Sequence, residues 1–356
     1  MHMADALISP AVGGTMWAAS AGLIAYCARK VRLTLRDNLV PMMGVLGAFI
    51  FAAQMINFTI PGTGSSGHLG GGLILAILLG PYAAFLVIAS VLTVQAFFFA
   101  DGGLLALGCN IFNLGFYPSF IAYPFVYRAI AKVQRGTPRA WAAAIIAAVV
   151  GLQLGAFSVV LETRASGISE LPLGAFVLLM SPIHLAIGVV EGLATAVVVS
   201  FVARARPEAL SAAETGMGLR PVLIGLLVAA AVTGGAVSWF ASAHPDGLEW
   251  SIAKVTGTEE VSGSESGLHK ELSSVQEKTA FLPDYGFKSG AEAAESEEQP
   301  ASWPAVSAGT SVSGLVGGAI TLMLACAVGL MLKLGRATRD RHDHTSQSVI
   351  MGSGES

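Results

Sequence analysis

Met1 and His2 open the chain. A free α-amine, the His2 amide nitrogen and the His2 imidazole form a ready chelate, and a second imidazole would complete a plane of four nitrogens. Such planes suit Ni(II) or Cu(II). The chelate exists only with Met1 as the terminal residue, because one residue in front turns the amine into an amide of negligible basicity. His68, in Ser65-Ser66-Gly67-His68, is the candidate second imidazole, since the features that can be oriented put it on the same membrane face as the terminus. It ends a loop running from Asn57 to Gly67 that can bend into the membrane and present one ring inward.

Other residues can support those donors. His184 and Glu191 sit seven apart in an apolar stretch opened by Pro182, a spacing that places both on one helical face about two turns apart. An ionisable glutamate there faces a partner or a cavity by default. It either bonds a ligand histidine, shapes a cavity or makes a structural bond between helices. Asp5 and Asp101 fall at the same face, and Asn110 and Asn113, three apart, can hydrogen-bond neighbouring helices or the His68 loop. No Gly-x-x-x-x-Gly-Lys-Ser/Thr loop and no His-Glu-x-x-His motif occurs, so the chain carries neither a P-loop nor a zinc-protease signature.

The elements that position these groups are transmembrane helices. The chain is 54% apolar and 12% charged, against roughly 25% charged in soluble domains. That composition predicts an all-α polytopic membrane protein, with lipid rather than nucleic acid as its surroundings. Apolar runs predict nine spans, near residues 12–28, 39–58, 69–80, 82–100, 104–127, 140–161, 173–203, 221–241 and 308–332, seven in the first bundle and two further on. The third run, about 18 Å as a helix, is too short for a ~30 Å hydrocarbon core and predicts a short, buried or re-entrant helix. Placing the N-terminus outside puts all of the 20 Lys and Arg except Arg164, Lys254, Lys270, Lys278 and Lys288 on the cytoplasmic side, as the positive-inside rule requires. No basic stretch precedes the first apolar run, so the terminus is expected to survive without cleavage.

Residues 243–306 form the one long polar segment, expected outside, with twelve carboxylates against four lysines. From Thr258 to Pro300 it holds too few large apolar groups to fold alone and reads first as a solvated linker, with its negative field gathering divalent cations as a second reading. Cys27, Cys109 and Cys326 lie singly in apolar stretches and read as small buried residues.

Several stretches together resemble the CbiM/NikM family, the substrate-binding membrane component of energy-coupling-factor (ECF) importers for cobalt or nickel. Met1-His2-Met3-Ala4-Asp5-Ala6 is similar to that family's opening, though it lacks a proline and a glycine. The stretches from Asn57 to Gly70, Asp101 to Gly115 and Ser181 to Glu191 are similar to family blocks, so the likeness covers roughly residues 1–206. His244-Pro245-Asp246-Gly247-Leu248-Glu249 resembles the PDGLE signature of the small N component. The resemblance implies a metal-binding domain at 1–206, a cytoplasmic linker at 207–218, an N-like region with two spans at 219–334 and a cytoplasmic tail at 335–356. It implies Met1, His2 and His68 as metal ligands, with Asp5, Asp101, Asn110, Asn113, His184 and Glu191 as supporting candidates. It also implies Ni(II) or Co(II) as transported substrate with no organic cofactor, and as partners a membrane coupling protein and cytoplasmic ATP-binding-cassette ATPases. The expected place is a prokaryotic cytoplasmic membrane, N-terminus outside and C-terminus cytoplasmic, with no covalent catalysis. Two other readings stay open at this point: a self-sufficient proton-coupled metal transporter using His184 and Glu191, and an intramembrane metalloenzyme with Glu191 as base and His68 and His184 as ligands.

Overall fold

The computed structural model describes residues 2–36, 38–132, 137–168, 171–205, 220–258, 267–288 and 303–352, with side chains for all of these except 205 and 337–352. Met1 and the expected linker at 207–218 lie outside the described residues.

Each apolar run contains a helix. In chain order these are α1 (Pro10–Thr34), α2 (Leu39–Gln54), α3 (Gly72–Leu79), α4 (Pro81–Phe99), α5 (Leu107–Ile111), which continues into a π-helical stretch at Phe112–Tyr127, and α6 (Arg128–Ala131). Then follow α7 (Pro138–Ser166), α8 (Leu173–Ala205), α9 (Arg220–Gly235), α10 (Gly247–Thr256), α11 (Gly267–Thr279) and α12 (Ala308–Gly352). Among the described residues, α1, α4, α7, α8 and α12 are long and apolar enough to cross a membrane, while α2 and α9 are shorter apolar helices. Backbone polar groups in lipid must be satisfied within the segment, which is why apolar stretches of this length fold as helices. The third run is the short, buried alternative, for α3 has eight residues and nearly all are enclosed.

Helix ends follow local chemistry. Ser9 caps α1 ahead of Pro10, and Thr137 caps α7 ahead of Pro138, each side-chain oxygen accepting a backbone N–H of the first turn. Pro118 and Pro124 lie inside the π-helical stretch, where their missing N–H groups interrupt the ordinary ladder. Besides helices, the described residues contain one small antiparallel hairpin, β1 (Phe58–Ile60) with β2 (Ser65–Gly67), in which Phe58 pairs with Gly67 and Ile60 with Ser65.

α4 occupies the centre, with 78% of its most apolar stretch buried against 17% for α1 and 28% for α12. α7 and α8 pack closely at Gly188 and Gly192, one turn apart on α8. A Cβ on Gly188 would stand 2.7 Å from Val149 Cα, and one on Gly192 would run into the Ile145 backbone. Small residues at this spacing let helices approach in lipid, where dispersion rather than water exclusion drives packing. α9 and α12 pack on α2, which joins the C-terminal spans to the first bundle.

The polar segment departs from the linker expectation. Residues 267–288 form α11 and a 3₁₀ turn at Pro283–Tyr285. Their stability comes from docking rather than from a core of their own: Phe281 packs on Phe98 and Phe99, Leu282 is buried, and the Leu282 amide donates to the Phe98 carbonyl. Residues 259–266 and 289–302 lie outside the described residues. α12 continues beyond its apolar stretch to Gly352.

Candidate metal centre

The N-terminal segment is held from both sides. The Met3 amide donates to Asn110 Oδ1 at 2.8 Å, and Asn110 Nδ2 returns a bond to the Met3 carbonyl at 3.2 Å, which also accepts the Gly103 amide at 2.9 Å. Asp5 Oδ1 accepts the Ala106 amide at 2.9 Å. Met3 and Ile8 are fully enclosed, so the segment enters the bundle instead of fraying from it. Asn110 thus fixes the terminus, not a neighbouring helix or the His68 loop.

His2 and His68 meet. Their rings stack with centroids 4.9 Å apart and planes 9° from parallel. His2 Nδ1 lies 3.0 Å from Asp101 Oδ1. The His68 Nδ1 lies 3.0 Å from the Leu69 carbonyl, an acceptor, so that nitrogen carries the proton. Burial, with the neighbouring His2 ring adding to it, pushes His68 down to about 3, so the ring is neutral at physiological pH. Burial alone would raise the Asp101 carboxyl, yet the His2 ring and the Tyr285 hydroxyl outweigh it and hold it below the ordinary carboxylate range.

The loop carrying His68 is anchored at depth. Glu191 accepts the Gly70 amide at 2.7 Å and the Gly71 amide at 3.1 Å, so both carboxylate oxygens are engaged by backbone rather than by a histidine. Gln54 donates to the Gly70 carbonyl at 2.8 Å and is itself held by Gln95 at 2.9 Å. Asn113 donates to Glu162 at 2.8 Å, beneath Met3. Glu162, Gln54 and Gln95 escaped the sequence reading. Glu162 had the signal that marked Glu191, a carboxylate within an apolar helix, but the expected span ended at residue 161 while α7 continues to Ser166.

The C-terminal half closes over this loop. The Ser66 amide donates to the Pro245 carbonyl at 2.7 Å and the Ser66 hydroxyl to the His244 carbonyl at 2.7 Å, while the Ser242 amide donates to Asn57 at 2.7 Å. The Pro-Asp-Gly-Leu-Glu stretch is a helix start. Asp246 accepts the Leu248 and Glu249 amides, and Glu249 accepts the Asp246 amide, a reciprocal capping box for α10. From the polar segment, His269 Nε2 donates to the Ile8 carbonyl at 2.9 Å and Gln276 to the Gly102 carbonyl at 2.8 Å. The Tyr285 hydroxyl donates to Asp101 Oδ2, and its ring stacks on Phe99 at 5.1 Å. A cavity of about 940 Å³ remains between the halves, lined by His2, His68, Asp5, Asp101, Asp246 and Glu249 among others. Among the described residues no three His, Cys, Asp or Glu side chains converge as a complete ligand set.

A bundle of apolar helices with two buried imidazoles beneath an acid-lined cavity is a multi-pass membrane protein equipped to handle a cation. A family model described as the cobalt uptake substrate-specific transmembrane region (CbiM) matches residues 2–209, and a PDGLE domain model matches residues 220–334. The chain belongs to the CbiM family and is a component of a cobalt/nickel uptake transporter, not an enzyme. It is 39% identical over 210 residues to a putative fused nickel transport protein NikMN of Archaeoglobus fulgidus, covering 59% of this chain and 68% of that one. It is 33% identical to a probable fused nickel transport protein LarMN of Lactiplantibacillus plantarum, covering 64% and 73%. A crystal structure of a truncated transition metal transporter superposes with a TM-score of 0.51 at 29% identity, covering 58% of this chain and 99% of that one.

Proposed function

We propose that this chain is the metal-capturing subunit of an ATP-driven ECF-type importer, taking Ni(II) or Co(II) at the outer membrane face. The stacking of His2 on His68 beneath an acid-lined cavity carries the reading. Two imidazoles hold a dication only loosely, and among the described residues no three His, Cys, Asp or Glu side chains converge as a ligand set, so the backbone completes it. The Met1 amine, the His2 amide and ring nitrogens and His68 then form the four-nitrogen plane, a geometry that favours nickel over cobalt. His2 Nδ1 is the ring nitrogen such a chelate uses, so metal binding displaces Asp101 from it.

The topology that goes with this role has seven spans in residues 1–206 and two in 219–334, with the N-terminus outside and the C-terminus in the cytoplasm. The linker at 207–218 and the tail at 335–356 are then cytoplasmic. The chain carries no P-loop, so partner ATPases and a membrane coupling protein supply the work. Ala21 and Ala25 are exposed on one face of α1, where a coupling helix can approach closely.

Equilibrium dialysis of the purified protein against Ni(II) and Co(II), with and without His68→Ala, tests the reading. Replacing groups that merely orient a metal ligand costs about 10–100-fold in affinity, so losing His68 should cost at least that much. Unchanged affinity would remove His68 from the site.

A further inference from the structure

We infer that His184 is a second metal-binding residue, which receives the dication from His68 in a small chamber closed by the PDGLE motif. The inference rests on the reading of His68 as a ligand and extends it to the next step inward.

The chamber is a cavity of about 10 Å³ bordered by His68, His184, Gly70 and Gly247, with leucine and isoleucine side chains around them. That is about the space of one water-sized sphere. The His184 ring is 1% exposed, and its Nδ1 lies 2.9 Å from the Met180 carbonyl. A carbonyl only accepts, so Nδ1 carries the proton and Nε2 presents the lone pair. That Nε2 is buried and has no hydrogen-bond partner. In His68 the Nδ1 proton is likewise directed to a backbone carbonyl, that of Leu69. An imidazole whose second nitrogen donates to a backbone carbonyl is the form in which histidines ordinarily ligate metals.

The surroundings fit a transit site rather than a storage site. The chamber cannot hold a hydrated ion, so a dication enters it only as imidazoles replace its water. Two imidazoles bind less firmly than a four-nitrogen chelate, so the ion can leave again. Glu191 stands alongside, its Oε2 accepting the Gly70 amide at the chamber wall. Gly247 forms part of the enclosure, where a Cβ would stand 2.6 Å from Ile183 Cγ2 and 3.3 Å from His184 Cε1. His68 keeps its bond to the ion while His184 replaces the departing terminal nitrogens, so no step passes through a bare cation.

The test uses the full chain carrying His2→Ala, His342→Gln and His344→Gln, which removes the terminal imidazole and the tail histidines. Cu(II) is the probe, because it binds nitrogen donors most tightly among these metals. Pulsed electron paramagnetic resonance counts the equatorial imidazoles. We expect two, falling to one with His184→Gln or, should that variant fold poorly, with His184→Asn. A count of one or none in the starting protein, or a count of two that substitution of His184 leaves unchanged, would overturn the inference and leave the chamber as packing around a water. Nickel binding by the unsubstituted protein tests the terminal chelate separately, so failure of either claim is recognised without the other.

Discussion

Burial decides the protonation of the imidazole at the centre of the site. The folded-state value of His68, about 3, lies below the ~6.5 of an exposed imidazole. Between those values the unfolded chain binds a proton that the native state does not, so stability present at pH 7 is lost as pH falls from about 6.5 toward 3. Asp101 acts outside that window, because a depressed carboxylate loses its contribution only below about pH 3.8. In chelator-treated protein we therefore expect His68 to lower stability as pH falls from 6.5 to 4.5, its own contribution having a limiting slope of about 1.4 kcal/mol per pH unit. His68→Gln should remove that share of the pH dependence of the unfolding midpoint. An equal slope in the variant would mean that the ring is not held neutral. His2 and His68 were legible as candidates because two imidazoles on one expected face stand out in a chain with seven histidines. Tyr285 was not, since a tyrosine in a polar segment shows its role only when Asp101, 184 positions away, is brought to it.

At the scale of elements, close approach of helices sets where the anchoring groups stand. Gly188 and Gly192 bring α8 against α7, and Glu191 is the neighbour of the second. Gly192→Leu should push the two helices apart, cost about 1–3 kcal/mol by overpacking, and pull Glu191 from the Gly70 and Gly71 amides. We expect a lower melting temperature together with weaker nickel binding. An unchanged melting temperature would show that this contact does not position α8. The helices themselves were legible because apolar length and charge punctuation are local properties of the chain. The order in residues 267–288 was not, since the segment lacks a core and gains its fold from surfaces supplied by Phe98, Phe99 and Asp101. The capping box at Asp246 and Glu249 was present in the sequence as an acid three residues ahead of another, but only the helix start gives that spacing its meaning.

Across the whole molecule, the two family regions line one cavity. The C-terminal half supplies Asp246 and Glu249 to the cavity, pairs with Ser66 beside His68, and holds Asp101 through Tyr285. Tyr285→Phe removes a hydrogen bond to a charged group, an interaction of about 1.5–3 kcal/mol. Hydrogen exchange in residues 267–288 should then accelerate by roughly tenfold or more, with little change in α4. Equal exchange in both proteins would show that the tyrosine does not hold the segment. In the proposed chelate the chain terminus itself grips the metal. The decisive measurement is bound nickel and cobalt per purified protein, with Met1 as the first residue and with one alanine placed before it. We expect about one metal in the first form and its loss in the second, since the extension converts the amine to an amide. Equal binding by both would contradict the terminal chelate and leave His68 to find its partners elsewhere.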